Sequence, residues 1–217
     1  MEKSYNLDIV RADDTSALID FMCGVPSMDN FIHDKENGLA KFIKLRLSNL
    51  WLVYEEGKAV AFFALSKDAL VLNNEDRRNL ETKEKDCSAL PSPDDADKFW
   101  DKEKYPAIEI DYFAVCKEMR ESPDDHLGTY IIEEICRMAD ADIYSATMFL
   151  TVEALDTKEY SAVEFYQKCG FQFSDVAQNK YIYDTTFGNQ PTTRRMYKII
   201  LPFLFSLFLI TFPIFQV

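Results

Sequence analysis

The first part of the chain alternates between apolar runs and short polar breaks, a pattern that predicts strands joined by a turn. Leu7 and Ile9 alternate with polar neighbours, which favours a first edge strand ending near Arg11. Residues 50–54 and 59–65 are two apolar runs separated by Glu-Glu-Gly-Lys, a linker typical of a tight hairpin. The pattern therefore predicts an edge strand followed later by a hairpin.

Capping residues and helix breakers lie between the edge strand and the hairpin, and they predict two helices. Residues 13–15 can cap a helix over residues 17–22. A glycine and a proline then interrupt the chain. Ser27 or Asp29 is expected to cap a second helix that reaches Leu47.

The second half alternates strands with helices after a long hydrophilic interval. Residues 73–104 carry both charges and a Pro-Ser-Pro run; an insertion or lid explains them, and a solvated loop without a role explains them equally well. Beyond the interval, apolar spacing predicts strands over 108–115 and 149–156 and an amphipathic helix over 127–138. A last strand is expected over 196–201.

Composition and charge limit the classes of function. The chain has 217 residues, 47% of them hydrophobic, which suits one large domain or one domain with appendages. Its 24 basic and 37 acidic side chains give a net charge of −13, which repels nucleic acid unless a local basic patch overrides it. Five cysteines without a Cys-x-x-Cys pair, and only two histidines, favour reduced thiols in a cytoplasmic protein, and no metal site is predicted. The N-terminus lacks the apolar stretch of a signal peptide, which agrees with a cytoplasmic location.

The most specific pattern lies between residues 149 and 173. A buried strand is followed by a helix that carries Phe165 and Tyr166, by a stop at Gly170 and by a second short strand. Taken singly, these aromatics are also typical of core residues at a helix end, and the glycine of an ordinary left-handed stop. Taken together, the run Ala-Val-Glu-Phe-Tyr-Gln-Lys-Cys-Gly-Phe resembles the Ala-x-x-Phe-Tyr-x-x-x-Gly-Phe signature of the GNAT acetyltransferase superfamily.

The resemblance to GNAT proteins covers roughly residues 8–201 in the order of the predicted elements. It implies an α/β (α+β) fold, in which a mixed, mostly antiparallel sheet is splayed between strands 4 and 5 and flanked by helices. Coenzyme A would enter the wedge between those two strands. The implied organisation is an acetyltransferase domain over residues 1–201, with a hydrophilic insertion over 73–106, and a hydrophobic C-terminal tail over 202–217.

The resemblance also implies which residues contact acetyl-CoA, the expected co-substrate. In the family, the loop after strand 4 cradles the pyrophosphate with free backbone N–H groups at a helix start. Here that loop reads Pro-Asp-Asp-His-Leu-Gly, so only Gly128 matches the glycine-rich pattern, and the two aspartates also fit an ordinary helix start. A member that binds coenzyme weakly, or that has lost activity, is therefore an open alternative. The residues expected at the coenzyme are Phe113, Ala114, Val115, His126, Leu127, Gly128, Thr129 and Tyr166.

Acetylation of an amine needs a proton acceptor, and the departing thiolate benefits from an acid. The family tyrosine lies beside the sulfur, so the resemblance makes Tyr166 the acid, and a phenol with an ordinary pKa of about 10 is protonated at neutral pH. Glu109 stands at the place of the family's strand-four glutamate and is the candidate base, with Asp111 on the same strand face. Both carboxylates are also explained as outward-facing residues or as partners of a Lys or Arg. Cys116 has no paired histidine and is interpreted as a small buried residue.

The acceptor is the least determined part. Residues 21–32 resemble a Phe-x-Cys-Gly and Leu-Asp-x-Phe/Trp-Leu pattern of one GNAT branch, which includes toxins that acetylate aminoacyl-tRNA and are silenced by a ribbon-helix-helix antitoxin. A modestly basic second helix favours contact with tRNA, whereas the net charge of −13 opposes it. We therefore predict an N-acetyltransferase acting by direct attack on a small-molecule or protein amine. The alternatives are a toxin-type enzyme acting on aminoacyl-tRNA and a catalytically decayed GNAT-fold interaction module.

The end of the chain leaves further partners open. Residues 199–217 carry no charge, are rich in Leu, Ile and Phe, and follow basic residues as a membrane anchor would. The last strand needs the first of these residues, and the remainder is short and contains two prolines. A membrane anchor, a hydrophobic cover for the sheet or for a partner, and a non-functional extension all stay open, as does a homodimer.

Overall fold

A six-stranded sheet organises the chain. The computed structural model describes residues 5–83, 100–120, 126–141 and 146–200. The strands are β1 (Leu7–Ala12), β2 (Asn49–Glu55), β3 (Lys58–Leu70), β4 (Tyr105–Val115), β5 (Phe149–Leu155) and β6 (Thr193–Ile199). The helices are α1 (Pro26–His33), α2 (Leu39–Lys44), α3 (Asn74–Lys83), α4 (Lys117–Arg120), α5 (Leu127–Asp140), α6 (Val163–Lys168) and α7 (Asp175–Thr186), and a turn of 3-10 helix spans Ser16–Leu18.

The strands lie side by side in chain order, and all neighbours are antiparallel except β4 and β5. This parallel pair is matched only between residues 107–110 and 149–152. Beyond Ile110 and Val152 both strands continue without pairing to each other, so the sheet is splayed there. The predicted mixed, mostly antiparallel sheet with a splay between strands 4 and 5 is thus confirmed.

One extra residue in β4 marks the start of the splay. Leu65 pairs with Ile110 but Ala64 pairs with Tyr112, so Asp111 has no partner in β3. A bulge of this kind bends its strand and increases the local twist. The bend falls where β4 leaves β5, and it gives the splay a local cause.

Two apolar clusters hold the sheet. The predicted apolar stripe of α5 is buried in the main core, where Ile131, Ile132 and Ile135 have no exposed surface. A smaller cluster forms around Phe149, whose ring meets Tyr105 and Tyr197 edge to face at centroid distances of 5.9 and 5.8 Å. Burial of such side chains contributes roughly 1.5–3 kcal/mol each, so both clusters fix the strands that border the splay.

The N-terminal helices are shorter than predicted. The helix expected over residues 17–22 is only a 3-10 turn, and the helix expected to reach Leu47 is two helices, α1 and α2. Between them the Asp34 carboxylate accepts hydrogen bonds from the backbone N–H groups of the next turn, which favours a turn over a continuous helix. A Cβ on Gly38 would lie 2.1 Å from a backbone carbonyl oxygen, so this close approach requires glycine.

The predicted cap of the second helix is also wrong. The N-cap of α1 is Val25, which has no capping side chain, and neither Ser27 nor Asp29 takes this role. The buried Asp29 carboxylate instead accepts hydrogen bonds from the backbone N–H groups of Cys23 and Gly24, at 2.7 and 3.0 Å. Asp29 therefore fixes the turn that leads into α1 rather than the helix end itself.

A helix that the sequence pattern does not predict follows the Phe-Tyr motif. The Ser174 hydroxyl caps α7 by accepting a hydrogen bond from the Ala177 N–H at 3.0 Å. None of its residues is buried, so α7 lacks the apolar stripe that reveals a helix in a sequence. The short strand expected after Gly170 is also wrong, since only a single bridge joins Gln172 to Tyr197.

Two predicted segments extend beyond the described residues. The insertion predicted over 73–106 contains α3, and residues 84–99 lie outside the description. Strand β4 begins at Tyr105, inside the predicted insertion. The tail over 202–217 lies outside as well, and among the described residues no helix is long and apolar enough to cross a bilayer.

Candidate active site

The separation of β4 and β5 opens a cavity of about 450 Å³, called the wedge cavity below. Its walls come from β4 beyond the bulge, the end of β5, the start of α5 and helix α6. This volume lies in the range of small-molecule sites. Every residue expected at the coenzyme lines it: Phe113, Ala114, Val115, His126, Leu127, Gly128, Thr129 and Tyr166. The structure thus brings these residues together, and their contact with a coenzyme stays a prediction.

Tyr166 forms part of the apolar wall and is 6% exposed. Its ring packs edge to face against Phe165 and Phe171, at centroid distances of 5.1 and 5.2 Å. Burial raises the pKa of the phenol well above its ordinary value, because the phenolate would lose its hydration. Within the described part of the chain, no group hydrogen-bonds the Tyr166 hydroxyl. The proton therefore stays on the oxygen at neutral pH, and no described residue holds it in a hydrogen bond.

Glu109 points to the face of the sheet opposite to Ile108 and Ile110, because successive side chains of a strand alternate between faces. These two neighbours belong to the same core as Tyr166. It belongs to a group of three acids around one arginine, called the carboxylate cluster below: Asp68, Glu109 and Glu153 with Arg195. Nη1 of Arg195 lies 3.7 Å from Oε1 of Glu109 and 3.3 Å from Oε1 of Glu153, and its Nη2 donates to Asp68.

The protonation of Glu109 depends on this cluster. Burial raises the pKa of the Glu109 carboxyl to about 7. The Arg195 guanidinium opposes the rise, and the negative charges of Asp68, Asp111 and Glu153 add to it. Glu109 therefore changes charge near neutral pH, where a carboxyl group in water is fully ionised.

Glu109 does not line the wedge cavity, whereas Asp111 and Glu153 do. The hydroxyl groups of Ser48 and Ser66 donate to the Asp111 carboxylate at 2.6 and 2.9 Å, and burial raises the pKa of this group as well. Glu153 belongs to the carboxylate cluster and to the cavity wall. It is therefore the member of the carboxylate cluster that also borders the wedge cavity.

Comparison with known proteins places this geometry in a fold family. No protein-family model matches the chain, and no curated protein sequence does. Among solved structures, the toxin–antitoxin complex AtaTR bound with acetyl-CoA matches with a TM-score of 0.57 and 14% identity, over 89% of this chain and 94% of that chain. AtaT complexed with acetyl-methionyl-tRNAfMet matches with a TM-score of 0.52 and 19% identity, over 77% and 87% of the two chains. A tyrosine-to-phenylalanine mutant of KacT matches with a TM-score of 0.50 and 15% identity, over 89% and 95%. These toxins are GNAT-fold proteins.

The chain has the GNAT fold. At identities of 14–19%, these structural matches establish the fold alone. They confirm the GNAT resemblance that the sequence motif indicated.

Within this GNAT fold, the glycine at the start of α5 has a packing role. A Cβ on Gly128 would lie 3.0 Å from Cε2 of Phe165. The Phe165 ring stacks on Phe113 across the cavity wall, with 5.9 Å between ring centroids. A side chain at position 128 would therefore press on the Phe165 ring, which would have to shift by a few tenths of an ångström, independently of any contact with phosphate.

The start of α5, where the sequence resemblance places the pyrophosphate, departs from the expected GNAT pattern. The backbone N–H of His126 already donates to the Tyr5 hydroxyl at 2.9 Å, so this amide is occupied. The preceding residues 123–125, with the two aspartates, lie outside the described residues. Two cations, Arg120 and Lys168, line the cavity, and Lys168 also pairs with Glu164 at 3.0 Å.

Most residues of the carboxylate cluster are not evident from the sequence pattern. For Glu109 the structure shows one of the alternatives, a nearby cationic partner, in Arg195. The available signal is a charged residue within an apolar strand pattern, as at Asp68 in β3 and Arg195 in β6. Cys116 is buried, and burial raises the pKa of its thiol, which favours a core residue over a nucleophile.

Proposed function

We propose that the protein is an acetyl-CoA-dependent N-acetyltransferase that transfers the acetyl group directly to an amine. The observation that carries the proposal is the wedge cavity, with the protonated Tyr166 hydroxyl in its wall and without a competing hydrogen bond from the described residues. AtaTR, which has the same fold, is bound with acetyl-CoA in its structure. The cations Arg120 and Lys168 at the same cavity support a phosphate-bearing co-substrate.

The reaction is one displacement at the thioester carbon. The amine nitrogen attacks the carbonyl carbon, the C–N bond forms, and the electron pair of the C–S bond leaves on sulfur. Tyr166 donates its proton to that sulfur. The excess proton of the amine passes to Glu153 at the cavity wall and from there to Glu109. The products are the N-acetyl amide and the coenzyme thiol, and solvent returns a proton to the tyrosine oxygen.

The environment of each group suits its role. A general base works best when its pKa is close to the operating pH, and burial raises the pKa of Glu109 to about 7. A general acid must hold its proton until the transition state, and the apolar rings around Tyr166 ensure this. The geometry therefore supports an acid and a base without a covalent acetyl-enzyme intermediate.

Isothermal titration calorimetry with acetyl-CoA, followed by mass spectrometry of the products, tests this function. We expect saturable binding and, in a screen of amines, lysine peptides and charged tRNA, at least one acceptor that gains an acetyl group. Free coenzyme A serves as the control ligand for binding. A folded protein that binds no acetyl-CoA at millimolar concentration would contradict the proposal and favour the non-catalytic interaction module.

A second candidate function has one specific observation in its favour. AtaT, which has the same fold, is complexed with acetyl-methionyl-tRNAfMet in its structure. The exposed Lys41, Lys44 and Arg46 near α2 supply local positive charge, whereas the net charge of −13 opposes RNA binding. Acetylation of aminoacyl-tRNA, with a rate that falls steeply as salt concentration rises, would favour this candidate over a small-molecule amine.

A further inference from the structure

A second cavity of about 480 Å³, called the α7 cavity below, lies between the end of β3, helix α7 and the start of β6. Glu153 lines both this cavity and the wedge cavity. A molecule in the α7 cavity would therefore lie next to a carboxylate that also borders the wedge cavity. The position suits an acceptor, which must approach the acetyl group from outside the coenzyme site.

The charges of the α7 cavity are separated between its walls. On the strands, the carboxylates of Asp68 and Glu153 share the single guanidinium of Arg195, which leaves a net negative charge. The opposite wall carries two cations and one acid. The cations are Lys180 of α7 and Arg194 of β6, whose side chain packs against α7, and the acid is Asp184. Neither of these two cations forms an ion pair within the described part of the chain. One wall thus favours a cation and the other an anion.

Two aromatic rings and one hydrogen bond fix the position of the Arg194 side chain. Its guanidinium lies over the rings of Phe173 and Tyr181, 4.0 and 4.4 Å from their centroids. One of its terminal nitrogens donates to Oε1 of Gln178 at 2.6 Å. Its Nε is buried and finds no acceptor among the described residues. The side chain is therefore oriented by uncharged contacts, and its positive charge is not neutralised by a carboxylate of the described chain.

The wall formed by α7 is anchored rather than loosely attached. The buried Asp76 of α3 accepts a hydrogen bond from the Asp175 N–H at 2.6 Å. The Asn73 side chain donates to the Asp175 carboxylate at 2.5 Å, and Ser174 caps the helix. Because the first turn of α7 is fixed on two sides, the α7 cavity is preformed, and binding needs little ordering of this wall.

We propose that the α7 cavity binds the acceptor as a small amphoteric amine, with its ammonium group at Asp68 and Glu153, its anionic group at Arg194 and Lys180, and an apolar body between them. Amino acids with apolar side chains belong to this class. The apolar lining includes Leu70, Val71 and Ala177, which suits such a body. Attack on the thioester, for which the bound ammonium must first lose a proton to solvent to become the neutral amine, rests on the proposed function, whereas binding in the α7 cavity does not.

Saturation-transfer NMR without coenzyme tests the binding class. The probes are L-leucine, L-methionine and L-phenylalanine, with phenethylamine, which lacks the carboxylate, and 3-phenylpropanoate, which lacks the amine. We expect at least one of the three amino acids to bind saturably. If L-phenylalanine binds, its affinity should be at least about tenfold higher than that of either analogue. Absence of saturable binding by all three amino acids would overturn the proposal, as would equal affinities for phenylalanine and phenethylamine.

Two variants locate the site. Ala177→Trp should fill the α7 cavity and abolish amino-acid binding, whereas Ala17→Trp adds the same ring at an exposed position and should leave binding unchanged. Arg194→Gln should lower the affinity for amino acids about tenfold and leave phenethylamine unaffected; Lys180→Gln, at an exposed position, repeats this test should the first variant fail to fold. Binding that survives Ala177→Trp would overturn the assignment of the cavity. Acetyl-CoA calorimetry on the same samples separates the two ideas, since amino-acid binding without coenzyme binding would contradict only the proposed function.

Discussion

Tyr166 and Glu109 lie in differently built surroundings, yet burial raises the pKa of both groups. The tyrosine is enclosed by the rings of Phe165 and Phe171, on the side of the wedge that α6 covers. The glutamate lies on the other face of the sheet, among acids that share Arg195. The same physical cause thus acts in an apolar and in a polar environment.

The consequences differ because the two groups begin from different ordinary pKa values. Desolvation penalises the charged form of each group. The pKa of the phenol therefore rises further above neutral pH, whereas the pKa of the carboxyl rises into the neutral range. The Tyr166 side becomes insensitive to pH, which suits a proton donor. The charge of Glu109 becomes sensitive to pH near neutrality, and the Arg195 guanidinium limits how far the pKa rises. Burial is therefore the largest of the causes that separate the candidate acid from the candidate base across the sheet.

The largest expected effect is the loss of the base. Glu109→Gln keeps the shape of the side chain but cannot accept a proton, and we expect kcat/KM to fall by roughly 10³. In the unmodified protein kcat/KM should rise with pH through about 7, because the ionised form of Glu109 is the active one. That rise should disappear in the variant. A pH–rate profile with an unchanged rise near neutral pH would assign the base to another group.

Loss of the acid should have the next largest effect. Tyr166→Phe keeps the ring contacts and removes the proton, so kcat should fall by roughly 10² while the affinity for acetyl-CoA, measured by calorimetry, stays the same. Stability should also stay the same, because no group of the described chain hydrogen-bonds this hydroxyl. The pH dependence of kcat/KM should keep its shape, in contrast to Glu109→Gln. A stability loss of more than about 1 kcal/mol with full activity would make Tyr166 a core residue.

The comparison also predicts a difference in stability. The pKa of Glu109 is raised from 4.5 to about 7 in the folded protein, so folding is favoured while the group is protonated, and this contribution is lost as pH rises through 7. Because the Glu109 side chain is still 22% exposed, we expect the unmodified protein to lose about 2 kcal/mol relative to Glu109→Gln between pH 4.5 and pH 8. Urea unfolding at both pH values measures this, with Glu159→Gln, an exposed glutamate, as control. Identical pH dependence in all three proteins would refute the buried state of Glu109.

The sequence indicated the fold because its local patterns agree with the tertiary contacts. The stripe of Ile131, Ile132 and Ile135 is buried as its spacing predicts, and the Phe-Tyr motif identifies the wedge between β4 and β5. The prediction failed where side chains compete with the backbone, as at Asp34, which turns the chain between α1 and α2. It failed again at α7, which has no apolar stripe to reveal it.

The candidate site was predictable on the side of the motif, and on the other side only Glu109 was named, by its place in strand 4, without its partners in the carboxylate cluster. Tyr166 belongs to a local run of residues, and the residues near Gly128 follow a strand and begin a helix. Glu109, Asp68, Glu153 and Arg195 come from four different strands and meet only because the sheet aligns them. Such pairing depends on strand register, which local patterns do not determine.

The smallest expected effect concerns Arg195, the arginine that lowers the pKa of Glu109. Arg195→Gln removes the cation 3.7 Å from Glu109, so the pKa of Glu109 should rise further above 7 and a smaller fraction should be ionised at neutral pH. We expect the rising part of the pH–rate profile to shift by about one unit to higher pH, with a roughly fivefold lower rate at neutral pH that recovers in alkaline solution. Arg195→Lys keeps the charge and should restore most of the original profile. If Arg195→Gln lowered the rate equally at every pH, Arg195 would support the structure of the carboxylate cluster without setting the protonation of Glu109.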